Sequence, residues 1–123
     1  MISQLSPSHF AAWRDNARAV EGAATAALPV VLDVREPWEL QTASVKEDGF
    51  TLVHIPMREI PDRLAELQNA LGTSRPIACL CHHGMRSQQV ANYLMQSGFS
   101  KVVNLQGGIN AWSQQVDPSV PIY

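Results

Sequence analysis

The chain has only two cysteines, Cys79 and Cys81, and they stand one residue apart. An extended pair at that separation lies at or beyond the bridging limit of about 7 Å. This argues against a disulfide framework and for free thiols in a reducing compartment, the cytoplasm being the expectation. No apolar run approaches the roughly 18 residues of a membrane-spanning helix. The first ten residues also lack the cationic and apolar stretches of a secretory leader. Neither secretion nor membrane insertion is expected. Positive charge is scarce as well: nine Lys and Arg against eleven Asp and Glu give a formal charge of -2. Such a chain lacks the basic field that nucleic acids or anionic membranes need. Any anionic substrate must be captured by a local device.

What is present fits one domain with a single core over residues 1–123, since 46% of the residues are hydrophobic and 16% charged. Ser6-Pro7 can open a first helix, with Ser6 as cap and Leu5 against Phe10 as a staple; Phe10, Trp13, Ala17 and Val20 then share a face. The alanine-rich stretch Gly22 to Leu28 has no periodicity and stays unassigned. Pro29 to Val34 is a continuous apolar run apart from Asp33, as in a strand covered on both faces, and it ends at Arg35-Glu36. Pro37 starts a short helix to about Thr42. Thr51 to Ile55 is a second strand stopped by Pro56. Pro61 is expected to open a helix with a stripe of Leu64, Leu67 and Leu71, closed by Gly72. Ile77 to Cys81 is again apolar and precedes a helix with Val90, Ala91, Leu94 and Met95 inward, ended by Gly98. Lys101 to Leu105 is a further strand, and Gly107-Gly108 lead into a short helix around Ile109 to Trp112. The alternation predicts a parallel sheet with helices on both faces, and sites beyond the carboxyl ends of its strands.

The loop from Cys81 to Ser87 sits at such an end. A cysteine there lies near outward-pointing backbone N–H groups and the positive end of the next helix, both of which favour a thiolate. A reactive nucleophile is therefore expected at Cys81. Gly84 lets the loop adopt backbone angles that bring its amides to one point. Arg86 supplies a planar fork of donors, for an oxyanion or for pinning the loop through carbonyls. Ser87 can cap the following helix. The plain alternative for Cys81 is an inert buried thiol; for Cys79, inside the strand, that plain reading is preferred. Cys79, Cys81, His82 and His83 include good zinc ligands, but they are crowded together with no second ligand pair elsewhere, so no metal is expected.

Other candidates are less pointed. Asp33 and Arg35 either organise the loop or form a structural ion pair, the latter being preferred; their separation is not expected to put both side chains on one strand face, so contact depends on the turn. His82 and His83 can tune the thiolate, shuttle protons or simply face water. His54 reads as a structural histidine, Arg63 and Glu66 as a solvated pair, and Trp13, Trp38 and Trp112 as packing residues.

Three stretches carry a resemblance: Asp33-Val34-Arg35-Glu36, Cys81-His82-His83-Gly84-Met85-Arg86, and Leu105-Gln106-Gly107-Gly108-Ile109-Asn110-Ala111-Trp112. In order and spacing they are similar to the rhodanese family, over about Val30 to Trp112. The resemblance implies a three-layer α/β/α fold around a central, mainly parallel sheet of about five strands. It also implies a cysteine nucleophile, Cys81, in a substrate-binding loop of His82, His83, Gly84, Met85, Arg86 and Ser87. Cysteine phosphatases place five residues between Cys and Arg; this loop has four, which by resemblance suits a terminal sulfur better than a phosphoryl group. The family's Gly-His-Ile-Pro-Gly-Ala stretch is replaced here by Ala43 to Gly49, with only Ile55-Pro56 matching, so the acceptor-binding wall differs.

The function implied is a ping-pong sulfurtransferase: Cys81 takes sulfane sulfur from thiosulfate or a low-molecular-weight persulfide and passes it to a thiol or protein acceptor. Neither metal nor organic cofactor is required. Members that use thiosulfate well resemble one another in having more cationic loops, so persulfides and polysulfides stay open as donors. The alternatives are a cysteine phosphatase or arsenate reductase on the same fold, and a protein-binding or sulfur-relay module.

Overall fold

The computed structural model describes residues 2–21 and 28–123, apart from the side chains of residues 19–21. The unassigned stretch Gly22 to Leu28 falls almost wholly outside them, and so does the expected inward side chain of Val20. The elements run β1 (Ser3–Leu5), a 3-10 turn (Pro7–His9), α1 (Phe10–Glu21), β2 (Val30–Asp33), α2 (Pro37–Thr42) and β3 (Thr51–His54). A second 3-10 turn (Met57–Glu59) leads to α3 (Leu64–Leu71), β4 (Ile77–Leu80), α4 (Met85–Gln96), β5 (Val102–Leu105) and α5 (Gly108–Gln115). The five strands form one sheet in the order β1-β5-β4-β2-β3, every pairing parallel.

The apolar runs explain the centre of that order. β2 and β4 are buried along their whole length because helices cover both faces. The two-residue period divides their side chains. Val30, Leu32, Val34, Ile77, Cys79 and Cys81 join Leu67, Val90, Ala91 and Leu94 on the face covered by α3 and α4. Val31, Ala78 and Leu80 join Phe10, Ile109 and Trp112 on the face of α1 and α5. Each wholly buried aliphatic side chain contributes about 1.5–3 kcal/mol relative to exposure, so the two layers fix the strand register that positions the loops.

Several local expectations change. Ser3–Leu5, too short and polar to read as a strand, adds to the free edge of β5. Ser6 makes no capping bond; its hydroxyl instead donates to Gln115 at 2.9 Å, while Leu5 and Phe10 do share a core cluster. Pro61 lies in a turn, and its helix starts three residues later at Leu64, because the preceding 3-10 turn already directs the chain. Gly72 ends it at φ 74°. Met95 is 40% and Trp38 61% exposed, so neither is a core residue; Trp38 sits edge-on to Tyr123. Residues 43–49 form no helix or strand, yet bury Ala43 and Val45.

Candidate active site

Pairing of Asp33 with Leu80 and of Asp33 with His54 brings the carboxyl ends of β2, β3 and β4 level. Cys81 is the first residue beyond β4, and Gly84, at φ 104°, is the N-cap of α4. This left-handed turn lets the chain fold back within three residues, so the Gly84 N–H donates to Cys81 Sγ at 3.0 Å. A second helix end holds the loop from below: Ile109 N–H donates to the Cys81 carbonyl at 2.9 Å and Asn110 N–H to that of His82 at 3.2 Å. The approach is so close that a β-carbon on Gly108 would overlap both carbonyl oxygens.

Ser87 does not cap α4. It lies buried in the first turn, with its hydroxyl 3.2 Å from Cys81 Sγ and 2.5 Å from Asn104 Oδ1. The Asn104 amide donates in turn to the Gly84 carbonyl at 3.0 Å. The sulfur therefore meets one backbone N–H and one hydroxyl, not a ring of amides, and Cys81 is only 1% exposed. Cys79, two residues back, is wholly buried in the apolar core, and burial pushes its thiol far above the ordinary range. The two cysteines thus have unlike surroundings despite their proximity.

Arg86 points neither to the sulfur nor to backbone carbonyls. Its two terminal nitrogens grip Glu39 at 2.7 and 2.9 Å. Glu39 belongs to α2, where it also accepts the Glu36 N–H at 3.0 Å and so completes a capping box. The Tyr123 hydroxyl donates to its second oxygen at 2.7 Å. Arg86 above all holds the Glu39 carboxyl down to about 2, against the opposing effect of burial. The same bond raises the Arg86 guanidinium above its usual value.

Asp33 and Arg35 are both wholly buried and joined at 2.8 Å. The premise that a strand separates them fails, since residues two apart on a strand share a face. The contact does form at the turn, for Arg35 lies in the bend after β2 with its N–H donating to Asp33 Oδ1 at 3.1 Å. The Arg35 fork also donates to the Ala43 carbonyl and the Tyr123 hydroxyl, each at 2.9 Å. Tyr123 thereby links the Asp33–Arg35 pair to Glu39 and Arg86. Burial pushes the Tyr123 phenol up to about 12. Among the described residues no buried side-chain nitrogen or oxygen lacks a partner, the condition under which such a network stabilises its surroundings.

His82 and His83 stack on each other but differ in exposure. The His82 ring stacks between His83 and Tyr123, with centroids at 3.8 and 3.9 Å. Its Nε2 bonds to the Tyr123 carbonyl at 2.7 Å. Burial, with help from His83 and Arg86, lowers its pKa in spite of that bond. His83 and Met85 are exposed. His54 is structural, its Nε2 2.7 Å from the Arg35 carbonyl, and Arg63 pairs with Glu66 at 3.1 Å on the surface. Sequence reasoning missed Glu39, Asn104 and Tyr123. Only Glu39 had a visible signal, as the capping partner three residues after Glu36.

Comparison with known proteins agrees with this architecture. The sequence model of one family, described as the rhodanese-like domain, matches residues 16–115. A sulfurtransferase of Allochromatium vinosum is 34% identical over 91 residues, covering 74% of this chain and 78% of its own. A chloroplastic rhodanese-like/PpiC domain-containing protein of Arabidopsis thaliana is 41% identical over 93 residues; the match covers 76% of this chain but 30% of that longer protein. The crystal structure of a rhodanese-related protein from Thermoplasma volcanium superposes with a TM-score of 0.70 at 26% identity, over 98% of this chain and 99% of that one.

Proposed function

Since the chain belongs to the rhodanese-like sulfurtransferase family, we propose that it carries sulfane sulfur as a persulfide on Cys81. The Cys81 thiolate attacks the outer sulfur of the donor. As the new S–S bond forms, the donor's own bond breaks, and its electron pair leaves on sulfite or a thiolate. In the second half-reaction an acceptor thiolate attacks the outer sulfur of the Cys81 persulfide and regenerates the thiol. Atoms and electrons balance without a cofactor.

The observation that carries this reading is the Gly84 N–H aimed at Cys81 Sγ at 3.0 Å, with the Ser87 hydroxyl, whose proton goes to Asn104 Oδ1, packed beside the sulfur at 3.2 Å. A hydrogen bond to a charged acceptor is worth about 1.5–3 kcal/mol, and the Gly84 N–H is in place before the donor binds. The four-residue spacing from Cys81 to Arg86 supports sulfur over phosphate transfer. The Asp33–Arg35 pair acts by supporting the loop through Tyr123 and Glu39, not by touching substrate. We place this chemistry in one domain of a reducing, cytoplasmic compartment, in keeping with two free thiols. Among the described residues no helix is long and apolar enough to cross a membrane.

Intact mass spectrometry after incubation with thiosulfate or glutathione persulfide tests the reading. The wild type gains one sulfur atom and Cys81→Ser gains none. A wild type that gains no sulfur from either donor refutes it.

A further inference from the structure

We propose that Glu39 is the specificity-determining residue of the sulfur-loading step: by holding Arg86 in a two-pronged ion pair it sets the site for persulfides of thiols over the dianion thiosulfate. The inference rests on the sulfurtransferase reading above and deepens it by naming the donor class.

The geometry carries the argument. A guanidinium recognises an oxyanion through paired N–H donors on one edge. In this loop the Nη1–Nη2 edge is occupied, both terminal nitrogens of Arg86 pointing at the two oxygens of one carboxylate, which balances the charge of the whole guanidinium. Glu39 is itself nearly inaccessible, with 4% of its side chain exposed. It is fixed further by the Glu36 N–H and the Tyr123 hydroxyl, so it cannot swing aside without stranding four donors. Release of Arg86 to an incoming anion would leave this buried carboxylate with a lost charge partner, a cost that accompanies every breaking of such pairs.

Two other arginines are likewise answered by carboxylates. Arg35 is wholly buried against Asp33, and Arg58 lies 3.6 Å from Glu36 at the surface. His82 is stacked and held toward its neutral form. The Cys81 thiolate, Glu39 and Arg86 together present net negative charge to a donor. Thiosulfate brings two negative charges concentrated on the unit being attacked. In a thiol persulfide the reacting S–S unit carries at most one, and any carboxylates lie on arms that can remain in water. Attack on the persulfide transfers the outer sulfur to Cys81, and the S–S electron pair leaves on the thiol, which takes up the proton.

The test compares second-order rates of sulfur loading on Cys81 from thiosulfate and from glutathione persulfide, followed by intact mass. In Glu39→Gln the amide still accepts from the Glu36 N–H but no longer neutralises Arg86. The thiosulfate-to-persulfide rate ratio is expected to rise about tenfold or more, as expected for one unscreened charge near the reacting atoms. The gain disappears when Arg86→Met is combined with Glu39→Gln. A ratio unchanged by Glu39→Gln, or a gain that survives loss of Arg86, overturns the inference while sulfur loading itself persists. Loading by neither donor instead removes the sulfurtransferase reading. A measurement on the wild type guards against a variant that fails to fold: added salt screens like charges, so thiosulfate loading should accelerate with ionic strength. Deceleration would show an available cation and also overturn the proposal.

Discussion

Glu39 makes the stability of the fold depend on pH in a way that can be isolated by a single substitution. Its carboxyl is lowered from 4.5 to about 2 in the folded protein, first by Arg86. In the unfolded chain it returns to the ordinary value. A depressed carboxyl contributes stability that is complete above the unfolded pKa and is lost as pH falls through the folded one. The window therefore runs from about pH 4.5 down to about 2. A shift of this size corresponds to about 3 kcal/mol, reduced to about 2–3 because the Arg86 partner is partly solvated and screened. Urea unfolding of the wild type and Glu39→Gln, followed by far-UV circular dichroism, separates this contribution from that of the other carboxylates. At pH 7 the variant should be less stable by about 2–3 kcal/mol, and by pH 3 more than half of that gap should have closed. A gap that stays constant or widens between pH 7 and 3 would refute the assignment of the ion pair as the cause.

Three further outcomes follow from the same geometry. Asp33→Ala should cost about 3–5 kcal/mol in urea unfolding, because it leaves the wholly buried Arg35 charge without its carboxylate; a loss under 1 kcal/mol would mean that the site is hydrated. Gly108→Ala, at φ 60° against the loop carbonyls, should lower the melting temperature and slow sulfur loading together, whereas Gly72→Ala, with open space around it, should affect loading little. Ser87→Ala should cost about 1–3 kcal/mol in urea unfolding by leaving the buried Asn104 Oδ1 without its donor, and should change the loading rate little, because the Gly84 N–H stays on the sulfur. A rate constant about tenfold slower in that variant would show instead that the Ser87 proton turns from Asn104 to the sulfur.

The legibility of this protein in its sequence follows the range of the contacts involved. Strands β2 to β5 declare themselves by short apolar runs between turn residues, and Cys81 is located by where such a run ends. The active-site loop is equally local: Gly84, with its positive φ, and Ser87 are within six residues of the sulfur they face. The role of Ser87 nevertheless differs from the expectation, because a helix that starts at Met85 puts residue 87 in its first turn, where the side chain looks back at Cys81. Local sequence allows both a cap and this inward position; the close seat of Gly84 against β5 and the Asn104 amide selects the second.

The charge on the loop was hidden for a different reason. Arg86 has its partner 47 positions away, and Glu39 has a further partner 84 positions away in Tyr123. No periodicity of a single element reports such pairs, since they arise only once β2 and β4 are adjacent and α2 is folded beside them. Asp33 and Arg35 could have been read correctly, because the period of an extended chain already puts residues two apart on one face. A buried pair of this kind needs acceptors for the remaining N–H groups of Arg35, which the Ala43 carbonyl and the Tyr123 hydroxyl supply from distant parts of the chain. The cationic look of a Cys-to-Arg loop is thus a property of the sequence alone. In the fold its arginine is answered by Glu39, and the charge that a donor meets is set by α2 as much as by the loop.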